Sequence, residues 1–160
     1  QPMPDIGRFC APIRAALSGV PKRVRIIAEP GRYIVGPAAI GVASVMGRAR
    51  REGHWWYYLD DGLYGSYSGQ LYDHARYPVE PLRNGSEHLP SVLAGPTCDS
   101  IHLIAENLIL PELKEGDLIV GRAMGAYTWA SASEFNFFPK ATVVAVNGAP
   151  GDTGSVNPDS

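Results

Sequence analysis

No part of this chain runs far before a glycine or a proline interrupts it: 18 glycines and 14 prolines are spread over 160 residues. Proline removes a backbone donor and glycine costs the most entropy to order, so long helices are disfavoured. Several runs between these breaks have strand length and are rich in β-branched or aromatic residues. The pattern predicts a mainly β protein, an antiparallel domain of barrel or sandwich type, preceded by one helix-strand unit.

In that unit, Gln1 to Ile6 is irregular and Arg8 to Leu17 is predicted as a short helix despite Pro12, ended by Ser18-Gly19-Val20-Pro21. Val24 to Ala28 reads as a strand that stops at Glu29-Pro30-Gly31. Ile34 to Val45 fits a helix or a buried strand. Trp55 to Asp60 and Leu63 to Tyr72, both aromatic, read as sheet. Arg76 to Leu93 reads as a long exposed connection with at most one short strand and a tip near Asn84-Gly85. Leu118 to Tyr127 alternates like a strand, and Ala141 to Val146 is a last strand candidate. Asn147 to Ser160 is Gly, Pro, Asp and Ser in the main, the composition of a disordered tail.

Composition excludes several classes of function. With 45% hydrophobic and 19% charged residues the chain can bury a core as one domain. A net charge of -2 offers no basic field for nucleic acid or an anionic membrane, so neither is expected as a partner. No apolar run approaches the ~18 residues that span a bilayer. Cys10 and Cys98 make no disulfide framework, which points to a reducing compartment, the cytoplasm by default. The scattered histidines have no metal-ligand spacing, so no metal site is expected. Because residue 1 is Gln rather than Met, a segment upstream is expected to have been removed or to belong to another chain.

Three motifs carry chemistry. Glu29-Pro30-Gly31-Arg32 places a carboxylate, a rigid turn, a residue without a side chain and a guanidinium at one predicted strand end. Such a group can hold a phosphate through the guanidinium fork and the backbone, or form a structural ion pair at a turn. Met124-Gly125-Ala126-Tyr127-Thr128 places a tyrosine at the end of the alternating run, where it reads as half buried. Gly95-Pro96-Thr97-Cys98-Asp99-Ser100 sets a thiol beside a carboxylate on a turn. From the residues alone Cys98 is a small buried apolar group, an acid or a nucleophile; His102 gives a Cys-His pair only on a helix. Asp60 and Asp61 read as turn formers.

Together these motifs resemble the C-terminal half of the ornithine/lysine decarboxylases, pyridoxal-phosphate enzymes with an alanine-racemase-like barrel. The resemblance implies that residues 1–43 end a TIM-like α/β barrel, that 44–147 form the family's C-terminal β domain, and that 148–160 are a tail. It assigns Glu29 to the cofactor's pyridine nitrogen, and Gly31, Arg32 and Tyr127 to its phosphate. Cys98 becomes the group that returns a proton to the substrate carbon after CO2 leaves. Asp99 and Asp73 hold the distal ammonium of a basic amino acid, with Tyr64 and Phe135 lining the same pocket. Cys-Asp suits ornithine, with lysine as the other candidate, whereas diaminopimelate enzymes carry Cys-Glu-Ser-Gly. Many relatives have an acid where this chain has His102. The lysine that anchors the cofactor lies early in these enzymes, and none of Lys22, Lys114 and Lys140 matches its context. The resemblance therefore implies a chain that is inactive alone, needs the N-terminal barrel portion as a partner, and works as a homodimer with each site shared between subunits. A non-catalytic decarboxylase-like regulatory protein and a β-domain interaction module are the alternatives.

Overall fold

The computed structural model describes residues 4–85, 88–147 and 155–156. Six strands dominate it: β1 (Gly41–Arg51), β2 (His54–Leu59), β3 (Val79–Pro81), β4 (His88–Ala94), β5 (Leu103–Pro111) and β6 (Leu118–Gly121). They form one sheet in the order β3-β6-β1-β2-β4-β5. Every pairing is antiparallel except β2 with β4, which is parallel. The sheet curls until it is nearly closed into a barrel.

β1 explains the curl. Its first residues, Gly41 to Ser44, pair with β6, and from Val45 onward it pairs with β2. The register shifts between Val45 and Gly47, a bulge that increases twist and bends the strand. The hairpin to β2 turns on Glu52 and Gly53, both at positive φ (49° and 82°), the geometry that matches right-handed strand twist. The core lies inside the curl, where Val45, Tyr57, Leu59, Leu93, Leu113 and Ile119 are fully buried. Tyr57 reaches through it to accept the Leu113 N–H at 3.0 Å, so its polar end is satisfied.

The first helix is α1 (Gly7–Leu17), as the sequence predicts, but it buries none of its residues. Val24 to Ala28 forms no strand, because the described residues offer it no ladder partner, and Ile26 and Ile27 stay 53% and 69% exposed. A single turn, α2 (Arg32–Val35), follows. The sheet starts at Gly41, ahead of the expected boundary at residue 44.

Two expectations for the middle of the chain are corrected. Leu63 to Tyr72 is not sheet; it is a series of turns leading into the short helix α3 (Gly69–Asp73). Nor is Arg76 to Leu93 an exposed connection. It contains β3 and most of β4, and Ser91 to Ala94 are buried between β2 and β5. β6 ends at Gly121, so the alternating run beyond it is loop. Of the expected last strand, only β7 (Val143–Val144) forms, paired with β8 (Ser155–Val156); the rest of the tail from 148 lies outside the described residues. Among the described residues no helix is long and apolar enough to cross a membrane.

Candidate functional site

The predicted residues gather into two groups. The first is built where the loop after β6 lies on the turn around α2. Gly125 N–H donates to Gly36 O at 2.9 Å and Met124 N–H to Ala39 O at 3.0 Å. A Cβ on Gly125 would stand 1.8 Å from Val35 O, so only glycine permits the approach. This contact brings Tyr127 to Arg32, whose guanidinium lies 5.2 Å from the ring centroid. Arg32 Nη1 also donates to Ala126 O at 3.4 Å, and Nη2 forms an ion pair with Asp73 at the end of α3. Partial burial works against the Arg32 charge, but Tyr77 and Asp73 beside it hold the group above the ordinary arginine value. A cleft of about 290 Å³ opens here, lined by Arg32, Gly36, Asp73, Ala75, Tyr77 and Ala123.

Tyr127 differs from its sequence reading. It sits on a loop at φ 54° rather than at a strand end, and it is 58% exposed rather than half buried. That frees its hydroxyl from the core. Gly31 lies alongside, and a Cβ added to it would meet only Tyr127 Oη, at 3.9 Å. A guanidinium, a phenol and a residue with no side chain make a donor set that fits a phosphate. Glu29 is exposed in the coil just ahead of Gly31, and no hydrogen bond or ion pair engages it among the described residues. His74 follows Asp73 as the left-handed cap of α3, at φ 51°.

The second group surrounds the loop that joins β4 to β5. Tyr64 donates its hydroxyl to Asp99 Oδ2 at 2.5 Å. This bond, helped by the Ile101 N–H, holds the Asp99 carboxyl below the usual carboxylate range, and the same bond raises the Tyr64 hydroxyl. The Tyr64 ring stacks on Phe135 with centroids 4.1 Å apart and meets His102 edge to face at 5.0 Å. Cys98 is a free, exposed thiol at the loop's tip. Thr97 and His102 belong to the group as well: Thr97 Oγ1 and His102 Nδ1 are 2.6 Å apart. The sequence marks His102 as a departure from relatives and, on a helix, as a partner for Cys98; its place opposite Thr97 depends on where β4 ends and β5 begins. Asp61 acts as expected of a turn former, accepting the N–H groups of Gly62 and Ser66, whereas Asp60 instead accepts the Ser44 N–H of β1 at 2.7 Å.

Among the described residues, no hydrogen bond, ion pair or ring contact joins the two groups. One can bind an anion; the other presents a carboxylate and a thiol.

Residues 32–125 match the model of the pyridoxal-dependent decarboxylase C-terminal sheet domain. The chain belongs to this family. A lysine/ornithine decarboxylase from Selenomonas ruminantium is 36% identical over 93% of the chain, which spans 39% of that enzyme. An ornithine decarboxylase from Cricetulus griseus is 38% identical over 79% of the chain, spanning 31% of its length. Among solved structures, the lysine/ornithine decarboxylase of Vibrio vulnificus complexed with cadaverine is 59% identical, with a TM-score of 0.82 over 89% of this chain and 39% of that one. The chain thus spans well under half of these relatives. It is a C-terminal domain of the ornithine/lysine decarboxylase family, and the family's cofactor is pyridoxal phosphate.

Proposed function

We propose that this chain is the C-terminal portion of a pyridoxal-phosphate decarboxylase that converts ornithine, or lysine, to the corresponding diamine in polyamine synthesis. The observation that carries the reading is the sorting of the candidate residues into an anion cradle and a thiol-carboxylate loop. Arg32, Tyr127 and Gly31 would hold the cofactor phosphate, and Glu29 would pair with its pyridine nitrogen. When bound, the cofactor's ring accepts the electron pair released as CO2 departs. Asp73 of one subunit, beside Arg32, and Asp99 of the other bind the distal ammonium by charge-assisted hydrogen bonds, and Tyr64 and Phe135 line its path. Cys98 gives its proton to the carbon that has lost CO2, and its exposure lets solvent restore that proton.

The two groups do not touch within one chain, which favours a site shared across a two-fold dimer, the Cys98 loop of one subunit facing the cradle of its partner. The residues before the sheet close the barrel that an upstream portion supplies. In support, Ile26, Ile27 and Ile34 are more than half exposed. Lys22 and Lys114 lie in turns and Lys140 sits over the Trp129 ring at 5.0 Å, so the covalent anchor is assigned to the upstream portion. The compartment that fits two free thiols is the cytoplasm.

The test mixes the chain with the N-terminal barrel portion of a close relative and measures CO2 release from ornithine and lysine. The chain alone is expected to be inactive and the mixture active, with ornithine preferred. A mixture that binds pyridoxal phosphate yet releases CO2 from neither amino acid overturns the proposal.

A further inference from the structure

The loop from Gly95 to His102 is tied to itself mainly through its last residue. Gly95 N–H donates to His102 O at 2.8 Å, and His102 N–H donates to Asp99 O at 3.0 Å. The His102 side chain adds the 2.6 Å contact to Thr97 Oγ1, and Asp99 N–H reaches the same oxygen at 3.5 Å. Cys98 therefore stands between two residues, Thr97 and Asp99, that are both bonded to His102. The ring also meets Tyr64, the residue that grips Asp99, edge to face.

The imidazole is only 3% exposed, and its Nε2 has no partner among the described residues. It lies against two glycines: a Cβ on Gly62 or on Gly95 would come within 2.1 Å of Nε2. The surroundings are shaped around a ring, and burial holds that ring below the ordinary histidine pKa, against the pull of Asp99 and Asp61. A neutral ring at this place can bond Thr97 without bringing a charge into the apolar wall. A carboxylate there would need partners that the glycines do not provide.

We propose that His102 is the positioning residue of this loop: through Thr97 on one side and Asp99 and Tyr64 on the other, it sets where the Cys98 thiol and the Asp99 carboxylate stand. The inference rests on the roles proposed above for those two groups, but its central measurement does not. Cys98 reactivity is read on the chain itself, by the rate of iodoacetamide alkylation against pH, with peptide mapping to separate it from Cys10. His102→Phe keeps the ring and its contact with Tyr64 but loses the bond to Thr97; Thr97→Val removes the same bond from the other end, together with the longer 3.5 Å contact from Asp99 N–H. Each is expected to change the Cys98 rate about fivefold, the size of one lost hydrogen bond. The double variant is expected to go no further than Thr97→Val alone, because the bond that His102→Phe loses is one that Thr97→Val already removes. His102→Asn, which keeps a hydrogen-bonding atom close to Nδ1, is expected to return the rate to near the wild-type value.

In the enzyme completed with a barrel portion, His102→Phe is expected to lower kcat and raise KM together, since Cys98 and Asp99 move as one loop. A residue that only supports folding would lower the active fraction and leave KM and the Cys98 pH profile unchanged. The proposal is overturned if folded His102→Phe and Thr97→Val proteins both alkylate Cys98 at the wild-type rate, or if their effects add. If the wild-type mixture decarboxylates neither amino acid, the functional reading fails, while the alkylation result still decides the role of His102.

Discussion

Arg32 and Tyr127 are brought together by backbone lying on backbone, whereas Tyr64, Cys98 and Asp99 are brought together by side chains reaching across a hairpin loop. In the first region Gly125 presses on Val35 so closely that no side chain fits. In the second, a 2.5 Å bond between Tyr64 and Asp99, a stacked Phe135 and a buried imidazole do the work. The contrast follows the task proposed for each. A phosphate cradle serves one invariant anion and can be built into the chain path, while a loop that meets different amino acids is set by replaceable side chains.

The sharpest way to break the comparison is Cys98→Ala in the completed enzyme. If the thiol supplies the proton, turnover falls by about 100-fold or more while cofactor affinity stays unchanged. Arg32→Ala is expected to do the reverse. Loss of a charged hydrogen-bonding partner weakens pyridoxal phosphate binding by roughly 10- to 100-fold in an absorbance titration, with Cys98 alkylation untouched. Gly125→Ala tests whether the cradle is backbone-built: forcing a Cβ against Val35 should cost about 1–3 kcal/mol in urea unfolding and loosen Tyr127. His102→Ala would leave that contact intact.

The smallest effect concerns pH. His102 has a folded pKa below its unfolded value of about 6.5. As pH falls through that range the unfolded chain takes up a proton that the folded ring refuses, so stability declines and levels off once pH is below the folded pKa. Urea unfolding between pH 7 and 4 should show this slope, and His102→Asn should remove it.

How much of this was legible from residue order differs between the regions in the same way. Glu29 to Arg32, Tyr127, Cys98 and Asp99 could be singled out because rare residue types stand together in short motifs. The partners that hold them could not. Thr97 meets His102 only because β4 and β5 pair in one register, and Arg32 meets Asp73 only because α3 folds back. Tyr64 and Tyr67 have the β propensity that predicted sheet, yet their segment turns and ends in helix because Asp61 accepts its Gly62 and Ser66 N–H groups locally, while the Ser68 hydroxyl ties it to the distant Thr128 carbonyl. β4 was hidden because its first residues look like exposed loop, and burial of Ser91 to Ala94 depends on two strands distant in sequence. Val24 to Ala28 has a strand's composition, but a strand needs neighbours.

The parallel pairing of β2 with β4 has a consequence for the order in which this protein assembles. The hairpins β1–β2 and β4–β5 close over short loops and can form early, but strands running side by side in the same direction must wait for the intervening chain to double back. That chain carries Tyr64 and Asp73, and docking of the two hairpins is what delivers Tyr64 to the Asp99 loop. The Tyr64–Asp99 group is thus expected to assemble late in folding: a chain could hold nearly all its local structure and still lack the grip on Asp99.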